Sequence, residues 1–500
     1  MEHIDDFLAE RHILVTGATG FVGQCLCQKL LKIPNIGHIW VLIRPSASGV
    51  NPEDRLEKLL SSELFSDYDP EIKKLISCVS GNLELPELGL STESLHSLQD
   101  VSVVFHCGAS VNFELDIFSA IRINLYGTCQ VVELCRRLPL FTVLVHVSTA
   151  FVNTNTSPSS QSIVRETIEE MTPGPEEVLQ TLLNKDATNS YKITTKIIGD
   201  KVNAYVYSKA LSELYLQQFC SDLQIVIVRP SVIGAGWKDP FPGWITNYNA
   251  LTGFLAAFGS GIFRVSYVNP SIVYDLVPID IVINTMIAAA VFRAKSTRAE
   301  LLPVIHCNTS SQASYNWGQL VDNQHIYSHV IPFEHAIRTP HFYLIQNKYI
   351  SWFLEILLQD LPAIFYDIIL YFSGNPLRLR RLYRKLYRGI SAIRPFIMNE
   401  YSWETNTFDI LENEILLDDR PKYFISVRGI NWSEYYGSYY LGIKKYLLKE
   451  DCTNLELAKK RQVRIRYISA FVETPFYFFV VGTASWGIYS LVATMKLLFG

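Results

Sequence analysis

The stretch Ile13-Leu14-Val15-Thr16-Gly17-Ala18-Thr19-Gly20-Phe21-Val22-Gly23 decides the fold. An apolar run that fits a buried strand meets a glycine turn, and a segment of helical period follows. The three glycines meet three needs: Gly17 makes a tight turn, Gly20 lets backbone approach a pyrophosphate, and Gly23 allows close packing of helix on strand. The free N–H groups at the start of such a helix face the phosphate charge. Gly17, Thr19, Gly20, Phe21 and Gly23 are therefore expected to hold a dinucleotide.

Working outward, the run Ile39-Trp40-Val41-Leu42-Ile43 reads as the second strand and ends in Arg44. An acidic side chain at this place, about twenty residues past the glycines, would hold an unphosphorylated ribose. Arg44 instead offers a planar fork to a 2′-phosphate, which favours NADPH over NADH, unless it is simply a solvated strand-end arginine. Leu75–Ser80, Val101–His106 and Val143–Val147 continue the alternation of short β-branched runs with helical patterns. The expected architecture is α/β, a Rossmann-like doubly wound parallel sheet. Gln224–Pro230 and Asp275–Asp280 extend it, so one nucleotide-binding and catalytic domain is expected over 1–320. The polar stretch from Thr154 to Ile198 reads as an insertion beside the active site.

Tyr205 and Lys209 lie four residues apart in Tyr205-Val-Tyr-Ser-Lys209 and share a face if the segment is helical. A free phenol, with a pKa of about 10, gives up its proton reluctantly at neutral pH, and a nearby ammonium stabilises the phenolate. Tyr205 can then protonate a carbonyl oxygen while hydride reaches the carbon, and Lys209 can also hold the nicotinamide ribose. Val143–Val147 ends in Ser148 and Thr149, one of which should hydrogen-bond the substrate carbonyl; Thr149 is preferred, with Ser148 the alternative. Tyr207, on another helical face, reads as structural. His106, His146 and His306 end or interrupt apolar strands and read as core residues or as supports behind the site. No metal-ligand spacing appears.

The 500 residues are 49% hydrophobic and 18% charged, enough for a large core and more than one domain. A formal net charge of −4 without a basic, aromatic-studded face argues against nucleic acid as a partner. Nine cysteines without C-x-x-C or Cys/His spacing fit reduced thiols in a cytosol-facing body. The start of the chain, with Glu2, Asp5, Asp6 and Glu10, is not a signal peptide. Beyond His341 the pattern turns to long helical segments and then to a Trp/Tyr-dense stretch, so a largely helical domain is expected over 336–450. Leu361–Phe372 is too short and interrupted to span a bilayer; it reads as core or, given Arg378, Arg380, Arg381, Arg384, Lys385 and Arg388 after it, as a membrane-surface or anionic-ligand contact. Phe476–Met495 is uncharged and long enough to cross a bilayer as a helix. Lys459, Lys460, Arg461, Arg464 and Arg466 precede it and only Lys496 follows, which predicts a transmembrane tail anchor with a cytosolic body. A buried amphipathic hairpin is the other reading, because Gly482, Ser485 and Gly487 dilute the run.

The G-x-x-G-x-x-G spacing points to the short-chain reductase branch. With Arg44, Val104–Phe113, Asn124–Thr128, His146–Val152, Tyr205–Glu213, Arg229–Ser231 and Asp275–Asp280, the chain resembles the fatty acyl-CoA reductases, the membrane-bound, alcohol-forming members of the extended short-chain dehydrogenase/reductase superfamily. Phe408–Asn413, Ile430–Tyr435 and Gly442–Tyr446 resemble that family's C-terminal region. The resemblance implies Tyr205, Lys209 and Thr149 as catalytic residues and Gly17, Gly20, Gly23 and Arg44 as NADPH ligands. It also implies a long-chain acyl-CoA substrate reduced through an aldehyde to a primary alcohol, on an organelle membrane, the peroxisome favoured over the endoplasmic reticulum. Asn82 stands where the superfamily usually has Asp against the adenine, and an amide can still hydrogen-bond there. Ser208 replaces a common Thr, and Gly108 interrupts a small-residue pair. A membrane-bound hydroxysteroid dehydrogenase/isomerase, or a non-catalytic NADPH-binding membrane protein, are the alternatives; oligomeric state is not legible.

Overall fold

The computed structural model describes residues 1–46, 49–154, 163–183, 198–249, 251–296, 302–374, 376 and 378–499. Seven strands form the main sheet: β1 (His12–Thr16), β2 (His38–Ile43), β3 (Ile76–Ser80), β4 (Val101–His106), β5 (Val143–Val147), β6 (Ile225–Pro230) and β7 (Val304–Cys307). Their spatial order is 7-6-5-4-1-2-3, and every neighbouring pair is parallel. Every strand expected up to residue 230 is present. The Asp275 segment becomes a short strand, Leu276–Pro278, running into the helix Ile279–Lys295.

Strands β4, β5 and β6 are buried at every position. That burial is why they read as unbroken apolar runs rather than as alternating ones: a parallel sheet needs crossover helices, and these cover both faces. Leu14, Val104, Leu144, Ile227 and Val304 pack from the sheet against Val131 and Leu134 of the helix Gly127–Arg137. The order of the strands reverses between β1 and β4, so their carboxyl ends leave a crevice where such sheets take ligands.

The chain divides into two compact units that interleave along the sequence. The first comprises 1–246, 273–315 and 394–435, and the second 247–272, 316–393 and 436–500. Residues 394–435 thus fall with the part of the chain that carries the main sheet. Their Ser402–Trp403 strand pairs in parallel with Ile163–Val164. Glu166 accepts the N–H groups of His306 (2.9 Å) and Thr407 (2.6 Å), and Tyr435 donates to the Ala235 carbonyl (2.9 Å). Of the polar insertion, 155–162 and 184–197 lie outside the described residues; Pro175–Leu183 is a helix.

The second unit is largely helical, as expected, with Leu251–Gly259, Trp317–Val330, Lys348–Glu355 and Leu361–Phe372 among its helices. Its core is aromatic: Phe254 meets Phe263, Trp317 and Phe342 edge-on, with ring centroids 5.1–5.6 Å apart. Phe476–Met495 lies within its last helix, Leu455–Phe499. Among the described residues no helix is long and apolar enough to cross a membrane. The span expected at Phe476–Met495 falls partly on side chains outside that set, at 479–481, 484, 487–488 and 491–495.

Candidate active site

At the end of β1 the chain turns with Gly17 at φ +73°, in the left-handed region that favours glycine. A Cβ there would lie 2.7 Å from the Gly108 nitrogen, so Gly17 and Gly108 let the ends of β1 and β4 close on each other. A Cβ on Gly108 would meet Leu83 Cδ1 at 2.9 Å and Thr16 Oγ1 at 3.0 Å, the oxygen that accepts the Gly108 N–H (3.0 Å), which accounts for a glycine where the sequence left its role open. A Cβ at Gly23 would meet the Gly17 carbonyl oxygen at 2.3 Å, so Gly23 seats the helix Phe21–Leu30 directly on the turn. Gly20 is the N-cap of that helix and brings no side chain to its open N–H groups. Gly17 and Gly23 thus pack backbone on backbone at the turn, and the N–H groups left open after Gly20 suit a dinucleotide phosphate.

The other expected ligands surround this turn. Phe21 stacks on Trp244 at 5.3 Å. Arg44 is exposed and 3.5 Å from Glu84. Asn82 holds its own turn by accepting the Glu84 N–H (3.1 Å). Arg55 is a residue that sequence reasoning missed: it donates to the Arg44 carbonyl and reaches Thr19 Oγ1 at 3.4 Å. The signal was available, since Asn51-Pro52 caps a helix just after β2 and Arg55 falls in its first turn.

The helix Ala204–Phe219 begins at Asn203, whose side chain accepts the Val206 N–H (2.9 Å), and sets Tyr205 and Lys209 one turn apart. Lys209 is buried and donates to the Val147 carbonyl at the end of β5 (2.7 Å). Burial pulls its pKa down to about 8, with Glu213 and Cys107 opposing. Burial pushes the Tyr205 phenol up to about 12, and hydrogen bonding with Thr149 works the other way. The sequence predicts that the ammonium lowers the phenol; in the structure burial is the largest influence, Glu213 adds to it, and the Thr149 hydroxyl, just past β5, is what opposes it. Thr149 also accepts the Phe151 N–H (3.4 Å). Ser148 is buried, and its hydroxyl has no hydrogen-bond partner among the described residues.

Asn124 ties down the helix Ala204–Phe219. It sits in a π-turn, Arg122–Tyr126, and its side chain donates to Ser208 Oγ (2.9 Å) and accepts the Ser110 N–H (2.8 Å). The Asn124–Thr128 motif was visible in the sequence, but the widened turn that aims the amide was not. The three histidines lie inside, as expected. His106 bonds Thr16 (2.7 Å) and Thr128 (3.1 Å), and burial lowers it to about 3. His146 is held well below its usual pKa by the same cause. His306 meets Arg229 (3.2 Å), which is paired with Glu213 (2.9 Å), both buried. Among the described residues no cluster of His, Cys, Asp or Glu is placed to hold a metal ion.

An aromatic file leads away from Tyr205 and was not foreseen. Phe113 meets Tyr205 edge-on at 5.5 Å and lies 5.8 Å from Phe396. Phe396 meets Phe151 at 4.7 Å, and Phe151 meets Trp403 at 5.6 Å.

Two family models match, both described as male sterility protein, over residues 15–286 and 358–450. The chain is 34% identical to fatty acyl-CoA reductase 1 of Mus musculus over 475 residues, covering 94% of this chain and 90% of that protein. It is 33% identical to fatty acyl-CoA reductase 2 of Mus musculus over 489 residues, covering 96% and 93%. Among solved structures, the terminal R domain of the myxalamid PKS-NRPS pathway superposes with a TM-score of 0.58 at 19% identity, covering 87% of this chain and 90% of that one. The reductase domain of a nonribosomal peptide synthetase from Mycobacterium tuberculosis gives 0.55 at 16%, covering 87% and 92%. At these identities the two structures speak for the fold alone.

Proposed function

The chain belongs to the fatty acyl-CoA reductase family, and from that premise we propose that it reduces a long-chain acyl-CoA to the primary alcohol with NADPH as hydride donor. The observation that carries this reading is Tyr205 against Thr149, one helical turn from Lys209 and at the crevice that the glycine cradle borders. Arg44 and Arg55 would grip the 2′-phosphate, the turn Gly17–Gly23 the pyrophosphate, and Lys209 the nicotinamide ribose. NADPH, when bound, supplies hydride to the carbonyl carbon.

Thr149 donates its hydroxyl hydrogen to the carbonyl oxygen and fixes it beside the phenol. Tyr205, held up at about 12, keeps its proton at neutral pH and so acts as the acid that delivers it. The charge of Lys209 stabilises the phenolate left behind. A thioester that gains hydride and proton becomes a hemithioacetal; the phenolate takes back the proton of its hydroxyl as CoA leaves as the thiolate, which water protonates, and an aldehyde remains. The aldehyde is more electrophilic than the thioester, and the same Thr149 and Tyr205 polarise and protonate it to the alcohol. One site therefore consumes two NADPH per acyl-CoA. The aromatic file from Phe113 to Trp403 supports a substrate with a long apolar tail, since aromatic walls hold alkyl chains by area.

Attachment to an organelle membrane through Phe476–Met495, with the body in the cytosol and the peroxisome as compartment, belongs to the same proposal. It is supported by the basic residues before the run and by the uncharged length of the run itself. The test is incubation of purified protein with NADPH and a panel of acyl-CoAs, sterols and sugar nucleotides. Alcohol, free CoA and two NADP⁺ per acyl-CoA are expected. Turnover of sterols instead, or release of aldehyde alone, would overturn the reading.

A further inference from the structure

In the second unit, two consecutive helices, Leu361–Phe372 and the part of Leu379–Ile397 up to 393, turn one side inward and the other out. Inward, Ala363, Leu379 and Tyr383 are buried against Tyr366 and Leu370. Asp367 fastens the two helices by accepting the N–H groups of Leu379 (2.5 Å) and Arg380 (3.1 Å). Outward, the end of the first helix reverses what water selects: Phe372 is 82% exposed and Tyr371 67%, with Ile368 and Ile369 beside them on the same helix. The helix Lys348–Glu355 of the same unit also exposes Tyr349 and Trp352. Large exposed apolar patches are uncommon on soluble surfaces and mark something that covers them.

The charge next to this patch identifies the cover. Arg380, Arg381, Arg384, Lys385 and Arg388 are all exposed. Between residues 368 and 399 the sequence has no acidic residue, and among the described residues Arg381, Arg384, Lys385 and Arg388 have no ion-pair partner. The helix pair is also tied to the C-terminal helix where its uncharged run begins. Phe365 lies 5.4 Å from Phe476. Glu473 receives Arg338 Nε at 2.6 Å and the Tyr366 hydroxyl at 3.5 Å. A helix entering a bilayer near Phe476 would bring the Leu361–Phe372 helix to the level of the headgroups.

We propose that this helix pair is a membrane contact separate from the C-terminal helix: it lies in the headgroup layer of an anionic bilayer, with Tyr371 and Phe372 among the upper acyl chains and the Arg380–Arg388 cations on the lipid phosphates and carboxylates. An acidic protein would answer the cations but not the neighbouring aromatic tip, whereas a bilayer surface answers both.

The test uses the full chain, moved from detergent into vesicles of phosphatidylcholine alone or with about 30 mol% phosphatidylserine, and reads the ratio of binding to the two. Apolar insertion of the C-terminal helix contributes alike to both vesicles and cancels in that ratio; the basic residues before it, Lys459 to Arg466, do not, so the measure of the helix pair is the drop in the ratio from wild type to variant. Each basic residue near an anionic surface contributes about 1 kcal/mol, so a ratio of at least roughly tenfold is expected for the wild type, falling toward one in 0.5 M salt, on the order of the concentrations that screen surface charge. The variant Arg380→Gln/Arg381→Gln/Arg384→Gln/Lys385→Gln should lower the ratio by roughly tenfold at low salt. Tyr371→Ser/Phe372→Ser leaves every charge in place and should lower binding to anionic vesicles, separating insertion from adsorption. Circular dichroism and thermal midpoints check that both variants are folded. A wild-type ratio of one, or variants that bind as the wild type does, overturns the proposal. So does a glutamine variant that keeps the ratio but loses self-association by light scattering, because the face would then join two copies of the chain. No substrate is present, so failure of the reductase reading leaves this result untouched.

Discussion

The end of β5 and the Leu361–Ile393 helix pair break opposite rules. At the first, polar groups are inside: Ser148, Thr149 and Lys209 are buried where a parallel sheet ordinarily holds only apolar side chains. At the second, apolar groups are outside, with Phe372 and Tyr371 in water. Most of β4 and β6 obeys the first rule, apolar and covered from Val103 to Phe105 and from Ile225 to Val228. A local departure costs stability and persists where something else requires it. Buried polar groups mark a site built for a small polar ligand, and exposed apolar ones mark a large apolar partner.

The comparison can be broken hardest at Tyr205. Tyr205→Phe removes only an oxygen and should leave cofactor binding intact, but it should slow both reductions by roughly 10³-fold, within the range for loss of a general acid. Alcohol formed from supplied aldehyde at an undiminished rate would sink the one-site mechanism. Next in size are the two guanidiniums: Arg44→Ala and Arg55→Ala should each weaken NADPH use by about 1.5–3 kcal/mol, the range for a charged hydrogen-bond partner, and leave NADH nearly unaffected. Equal losses with both cofactors would separate these residues from the 2′-phosphate.

A smaller effect should come from pH. Lys209 is held down at about 8, so it is charged below that value and neutral above it, whereas Tyr205 stays protonated to about 12. The rate should fall as pH rises through about 8, and Lys209→Arg, which stays charged, should move that fall upward. A profile that is flat from pH 7 to pH 9, roughly one unit either side of the expected midpoint, would mean that the ammonium charge is not used. The smallest effect sharpens the choice between the two hydroxyls. Thr149→Val should lower the rate about tenfold, as loss of one oriented hydrogen bond does. Ser148→Ala, which removes a buried hydroxyl without a described partner, should leave the rate nearly unchanged and should not destabilise the fold. The reverse ranking of the two rates would make Ser148 the carbonyl ligand.

Where a feature depends on neighbours in sequence, it was legible. The glycine turn, the β-branched strands and the Tyr205–Lys209 spacing follow from local sterics and period, and each strand and the shared helix formed as read. What depends on distant parts of the chain was not. Phe396 and Trp403 reach the file that starts at Tyr205 from more than 190 residues downstream, and nothing in their own surroundings announces it. Arg55 was missed for a milder reason: a basic residue in a helix's first turn opposes the helix dipole, and only an anion nearby makes sense of it there. The electrostatics of Tyr205 were misjudged because spacing reveals a partner, while burial, the larger influence, needs the whole fold.

The interleaving of the two units bears on how this protein is made. Its sheet is finished in sequence by Cys307, yet the hydrogen bonds on Glu166 and the Ala235 carbonyl wait for Thr407 and Tyr435. During synthesis the first unit cannot close when its last strand leaves the ribosome; it must hold an incomplete site through the synthesis of more than a hundred further residues. A gene cut near codon 320 would thus leave Phe151 without Phe396, Tyr401 and Trp403, the rings that pack on it. Exchanging catalytic specificity between relatives calls for transplanting 394–435 together with the sheet, as one discontinuous cassette.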